Sequence, residues 1–158
     1  MKKILLIFII TLISSVTVKA SSYDEVENFS FIDLDGKKHS ISDYQGKWLL
    51  VNYWASYCPP CLAEIPDIER FYKKNKKKFM VLGMDAGGNT NEDILRFKKE
   101  NGITYPLIPM QESTMLGFGI LMGIPTSFVI SPKGKIVDKY VGIITYSDLD
   151  YLVNGKGQ

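Results

Sequence analysis

The sequence predicts an α/β fold in which a mixed central sheet is flanked by helices, and three observations lead there. Apolar runs rich in β-branched and aromatic residues, at 48–54 and 79–84, alternate with stretches whose apolar residues recur at helical spacing. The chain closes on two strand-like runs around a Ser131-Pro132-Lys133-Gly134 turn, followed by a short helical stretch. The only two cysteines, Cys58 and Cys61, stand where the first apolar run gives way to the first helix.

Residues 1–20 form a segment of their own. Lys2 and Lys3 make a basic start, Ile4 to Ile13 an apolar core, and Val18-Lys19-Ala20 a small-residue-ended site of the kind signal peptidases cut. With Thr11, Ser14, Ser15 and Thr17 in it, the stretch falls short of the roughly 20 apolar residues of a spanning helix. Cleavage is therefore the preferred reading, and an uncleaved membrane anchor the alternative. Either one leaves the rest of the chain periplasmic or otherwise extracytoplasmic. Residues 21–27 are a polar tether and 28–158 the domain proper.

Within the domain, 28–41 reads as a β-hairpin. Phe29, Phe31 and Ile32 to Leu34 flank Asp35-Gly36, a dipeptide suited to positive φ in a tight turn. A second turn at 42–46 leads into the strand at 48–54. The next helix carries Leu62, Ile65, Ile68 and Tyr72 at helical spacing, and Pro66 is expected to kink it. Its end, Lys73-Lys74-Asn75-Lys76-Lys77-Lys78, suits a solvated terminus favoured by the negative pole of the dipole. Attraction to an anionic membrane surface is the other reading of that run.

After the strand at 79–84, Ala86 to Thr90 is a glycine-rich connection without the Lys-Ser/Thr ending of a phosphate-cradling loop. Thr90 caps a helix at 91–101 whose Ile94, Leu95 and Phe97 face inward and which Gly102 stops. Residues 105–108 are extended, and 112–121 make a short, loose helix broken by Gly117 and Gly119. Strands at 126–130 and 135–141 form the closing hairpin. Ser147 with Asp150 resembles a capping box opening a last helix through Val153.

The chain of 158 residues has 19 Lys and Arg against 17 Asp and Glu. Lys2, Lys3 and Lys19 belong to the leading segment, and the remainder carries 16 against 17, formally −1. That balance argues for no polyanionic partner, and no nucleic-acid motif is present. Two cysteines in an exported chain ordinarily suggest a structural disulfide. Here the loop they would close holds about four residues, which contributes only about 2 kcal/mol.

A redox role fits better. Backbone N–H groups and the positive pole of the dipole at a helix start favour a thiolate, and the thiolate is the species that attacks disulfides.

The residues then point to a family. Phe29, Asp33, Gly36 and Lys37 at the opening, and Trp54-Ala55-Ser56-Tyr57-Cys58-Pro59-Pro60-Cys61, resemble the thioredoxin superfamily, in its exported TlpA/ResA/CcmG-like branch. Glu64-Ile65-Pro66, Gly102-Ile103-Thr104-Tyr105-Pro106 and Gly123-Ile124-Pro125-Thr126 complete the resemblance. It implies a thioredoxin fold with an N-terminal β-hairpin extension, and catalysis by Cys58 as attacking and Cys61 as resolving cysteine.

The resemblance further implies that Glu64 accepts the Cys61 proton. The position at which cytoplasmic thioredoxins carry an aspartate is Asn52, which cannot do so. The other reading of Glu64 is a solvent-facing acid near a helix start. Pro125 is expected in the cis form beside the cysteines, with Ile124 offering its backbone to an extended client. Trp54 and Tyr57 wall the site or pack in the core, and Pro59 and Pro60 complete the substrate-facing surface. Neither proline has an N–H to give the Cys58 sulfur, and the one histidine, His39, lies in the hairpin. Such a site has few means of stabilising its thiolate, so a reducing pair is expected.

The implied protein is an extracytoplasmic thiol–disulfide oxidoreductase acting as a reductase on protein thiols and disulfides, without a cofactor or metal. Apocytochrome c disulfides are an implied client, and a membrane electron-donor protein the implied source of reducing equivalents. Two alternatives stay open: a DsbA-like oxidase, and a metallochaperone holding Cu(I) on the two thiolates. A peroxiredoxin pattern fails, because its proline and threonine positions are Val51 and Ala55. Leu62 after Cys61 excludes the c-type haem attachment motif.

Overall fold

The structure, a computed structural model, describes residues 26–155. The leader expected at 1–20 and the tether up to residue 25 lie outside the described residues. Strands β1 (Ser30–Ile32) and β2 (Lys38–Ser40) pair antiparallel as a small separate sheet, and a 3₁₀ turn follows at Ile41–Tyr44. The main elements are β3 (Trp48–Trp54), α1 (Pro59–Asn75), β4 (Phe79–Asp85), α2 (Asn91–Glu100) and β5 (Leu107–Ile108). Then come α3 (Glu112–Leu116), β6 (Thr126–Ile130), β7 (Ile136–Val141), α4 (Tyr146–Asp150) and a π turn at Tyr151–Gly155.

Five strands form the central sheet in the order β5-β4-β3-β6-β7. The helices α1 and α2 return the chain so that β3, β4 and β5 run parallel, whereas β6 pairs antiparallel with β3 after the longer connection that carries α3, and β7 returns antiparallel beside β6 through a short turn. The result is the expected mixed sheet flanked by helices, with a thioredoxin-like topology.

Alternation along β3 decides what lies on each face. Leu50 and Trp54 point into a core shared with Cys61, Ile65, Ile68 and Phe71 of α1, Ile94 and Phe97 of α2, and Leu149 of α4. Leu49, Val51 and Tyr53 point into a second core with Leu82, Met84, Phe128 and Ile130, closed by Phe31 and Ile41 of the N-terminal hairpin. The hairpin thus covers a sheet face that no long helix covers. Asn52 falls on the first face, towards α1.

Several local expectations are altered. Helix α1 continues past Pro66 to Asn75. In the lysine run, Lys73 pairs with Glu69, Lys74 donates to the Tyr146 hydroxyl, Lys76 lies over the Tyr72 ring and Lys78 donates to Asn154. These contacts favour the solvated helix end. Leu62 and Leu95 are exposed rather than inward, because each stands about 100° around its helix from a buried neighbour, Cys61 or Ile94. Helix α3 stops at Leu116, earlier than the loose helix expected to 121.

The last helix opens two residues before the expected cap. Thr145 Oγ1 accepts from the Asp148 N–H and Asp148 accepts from the Thr145 N–H, so the box is Thr145/Asp148 and not Ser147/Asp150. Buried Ile144 and Leu149, on either side of that cap, hold it to the core. Gly102, at φ +62, stops α2 as expected. No helix among the described residues is long and apolar enough to cross a membrane.

Candidate active site

Cys58 is the N-cap of α1, with extended backbone, and its sulfur accepts from the Cys61 N–H at 3.3 Å. A sulfur here does what a serine or aspartate oxygen does at an ordinary N-cap. Pro59 and Pro60 fill the first two helical positions, where a missing N–H costs nothing. They also leave Cys61 as the source of the one backbone N–H bonded to that sulfur. Cys58 and Cys61 are joined in a disulfide. Cys58 retains 6% of its exposure and Cys61 only 1%, so attack from outside falls on Cys58.

Glu64 lies one turn further along α1 and is 1% exposed, which overturns the solvent-facing reading. Its Oε1 accepts from Asn52 Nδ2 at 2.6 Å and its Oε2 from the Ile144 N–H at 3.0 Å. Burial pushes the carboxyl up to about 7, against the pull of those two hydrogen bonds. A carboxyl near neutrality is suited to taking and returning a proton at physiological pH.

The Ile124–Pro125 bond is cis. Register pairs Tyr53 with Thr126, which brings Pro125 to the end of the sheet where β3 turns into the cysteine loop. The Pro125 carbonyl is taken by the Gly142 N–H at 2.8 Å. Ile124, half-buried, makes no backbone hydrogen bond among the described residues. Tyr57 is 70% exposed, and Pro59 and Pro60 are exposed beside it. Of the two readings of Trp54, the structure selects core packing: it is 3% exposed and stacks on Phe97 with ring centroids 4.4 Å apart.

The segment 86–90 does more than connect. Asp85, fully buried at the end of β4, accepts from the N–H groups of Gly87 and Asn89 and from Asn89 Nδ2 at 2.6 Å. Asn89 Oδ1 in turn accepts from Ser56 Oγ at 2.8 Å. Two residues before Cys58, the cysteine loop is thereby braced to the next strand. Sequence reasoning missed Asp85, Asn89 and Ser56, whose only signal was a polar residue ending an apolar strand. His39 serves the hairpin, bonding Asp33 at 2.7 Å.

A Cys-x-x-Cys disulfide capping a helix beside a cis-proline strand, on this sheet, defines a thioredoxin-fold thiol–disulfide oxidoreductase. The chain belongs to the AhpC/TSA family, which matches residues 23–139. It is 32% identical over 127 residues to the thiol-disulfide oxidoreductase ResA of Bacillus cereus, covering 80% of this chain and 73% of that protein. It is 29% identical to ResA of Bacillus subtilis (strain 168), covering 84% and 74%.

Among solved structures, a thioredoxin-family thiol:disulfide interchange protein from Chlorobium tepidum TLS superposes with a TM-score of 0.75 at 31% identity, covering 83% of this chain and 94% of that one. A DsbF homologue from Corynebacterium diphtheriae gives 0.74 at 25% identity, covering 83% and 85%. The protein is thus an enzyme of dithiol–disulfide exchange, and its substrates are protein thiols and disulfides.

Proposed function

We propose that this enzyme works as an extracytoplasmic reductase of protein disulfides. The reduced Cys58 thiolate attacks one client sulfur and bonds to it as a mixed disulfide, the client S–S bond breaks, and the other client sulfur leaves as a thiolate that takes up a proton. Glu64 accepts the Cys61 proton, and the Cys61 thiolate attacks the Cys58 sulfur of the mixed disulfide. The second client thiolate leaves and the Cys58–Cys61 bond forms. Two electrons pass to the client, and a membrane electron donor returns them to the protein.

Ile124 presents its backbone to the client as an added strand, with Pro125, Tyr57, Pro59 and Pro60 around the sulfur and Trp54 supporting them from the core. Residues 1–20 export the chain or anchor it. Similarity to the ResA proteins, thiol-disulfide oxidoreductases by name, supports the disulfide chemistry. Apocytochrome c disulfides, which the resemblance to that branch implies, are the proposed client.

One observation carries the reading: the Glu64 carboxyl is buried and hydrogen-bonded one helical turn beyond the resolving cysteine, where burial pushes it up to about 7. It is tested by supplying the purified protein with a dithiol and following the opening of insulin's disulfides across pH. Wild type should work, Cys58→Ser should not, and Glu64→Gln should lose the rise in rate through neutral pH. Wild-type inactivity would overturn the reading as a whole. An unchanged pH profile in Glu64→Gln would remove Glu64 from it. Tight Cu(I) binding without reductase activity would favour the metallochaperone.

A further inference from the structure

Asn52 sits in the middle of β3, 3% exposed, on the face that carries Leu50 and Trp54 towards α1. Its amide nitrogen donates twice, to Glu64 Oε1 at 2.6 Å and to Ser127 Oγ at 3.0 Å. The second bond is built into the sheet, because the β3–β6 register sets Asn52 directly opposite Ser127. Ser127 is itself fully buried. With both amide hydrogens committed, the side chain cannot turn its oxygen towards Glu64 without losing two bonds.

We infer that Asn52 is a positioning residue for Glu64: it holds the carboxyl over the first turn of α1 and keeps it ionisable, while Ser127 anchors the amide. The inference rests on the reading of Glu64 as the proton acceptor for Cys61.

The groups that face Glu64 come from three other segments and from its own helix. Asn52 faces it from β3, the Ile144 N–H from the segment after β7, and the Tyr105 phenol from the segment before β5. Cys61 and Cys58 lie in the preceding turn of its own helix. None of these groups is cationic, and no Lys, Arg or His pairs with Glu64 among the described residues. Tyr105 is held neutral, its phenol pushed up by burial and by the nearby Glu64 charge.

A buried carboxyl with no cation to balance it stays protonated unless neutral donors stabilise the anion. Two do so here, and Asn52 is the one side chain among them. An aspartate in its place would oppose a second negative charge to Glu64 and reverse the effect.

The test follows the Glu64 carboxyl carbon by NMR across pH in the full chain, for wild type, Asn52→Leu and Ser127→Ala. The pH profile of mixed-disulfide release is recorded beside it. Removing a donor to a charged group should raise the Glu64 midpoint in Asn52→Leu by on the order of one pH unit. The alkaline shift should appear in the release profile too. Ser127→Ala should move both in the same direction by less, and it keeps the question answerable if Asn52→Leu does not fold.

A midpoint and profile unmoved in the folded variants overturn the inference. Glu64→Gln separates the two levels. If it abolishes the pH dependence while Asn52→Leu leaves it in place, the positioning role falls and the function stands. If Glu64→Gln keeps the pH dependence, the proton-acceptor reading falls.

Discussion

The backbone N–H of Ile144 donates to Glu64 Oε2 at 3.0 Å, joining the first turns of α1 to a segment 80 residues further along the chain. The bond holds an acid that burial pushes up to about 7. Folding therefore confines a group that titrates near 4.5 when the chain is unfolded.

Stability should carry the mark of that confinement. Below pH about 4.5 Glu64 is protonated in both states and adds no penalty. As pH rises towards 7 the unfolded chain releases this proton and the folded one keeps it, so the fold loses stability through that window. The loss levels off above about 7 at roughly 3 kcal/mol. Urea unfolding of the oxidised protein should show the fall between about pH 5 and 7, and Glu64→Gln should flatten it.

Cys61→Ser removes the resolving sulfur and leaves Cys58 at the helix start. It should accumulate clients as mixed disulfides, visible as dithiothreitol-sensitive adducts on non-reducing gels. Cys58→Ser should trap none, because the 1%-exposed Cys61 does not meet the client.

The Cys58 sulfur receives one backbone N–H bond, from Cys61, and has two prolines where other donors would stand. Its thiolate is modestly stabilised, so the pair should be reducing, nearer to thioredoxin's roughly −270 mV than to the roughly −120 mV of DsbA. Equilibration with glutathione measures this directly. A value above about −150 mV would favour the oxidase.

Gly87 tests the brace under the cysteine loop. A Cβ there would stand 2.9 Å from the Ala55 Cβ and 3.2 Å from the Tyr57 ring. Gly87→Ala should destabilise the protein by about 1–3 kcal/mol through overpacking. It should also slow client reduction at pH values where the wild type is fastest, since Ala55 and Tyr57 lead directly into Cys58. Gly36→Ala is the distant control. Its Cβ meets no atom, but φ is +80 there, so it should cost about 1–2 kcal/mol in backbone strain and leave the rate unchanged.

Much of this was legible in the residues. Apolar runs of β-branched residues gave the strands of the central sheet, and the Asp35-Gly36 pair gave a turn that needs positive φ at Gly36. The cysteine pair announced its chemistry because a sulfur at an N-cap is a local arrangement, settled within about four residues. The local signal put the last cap two residues late, at Ser147 instead of Thr145, and buried Ile144 and Leu149 flank the cap that forms.

Local periodicity and spacing determined the order of elements, the two sulfurs at a helix start and the class of reaction. Only the folded chain decided that Glu64 is buried, that Asn52 and Ile144 reach it, and that Asp85 and Asn89 brace Ser56. Desolvation and hydrogen bonds between remote segments depend on which faces meet, and here the partners are separated by 12 to 80 positions.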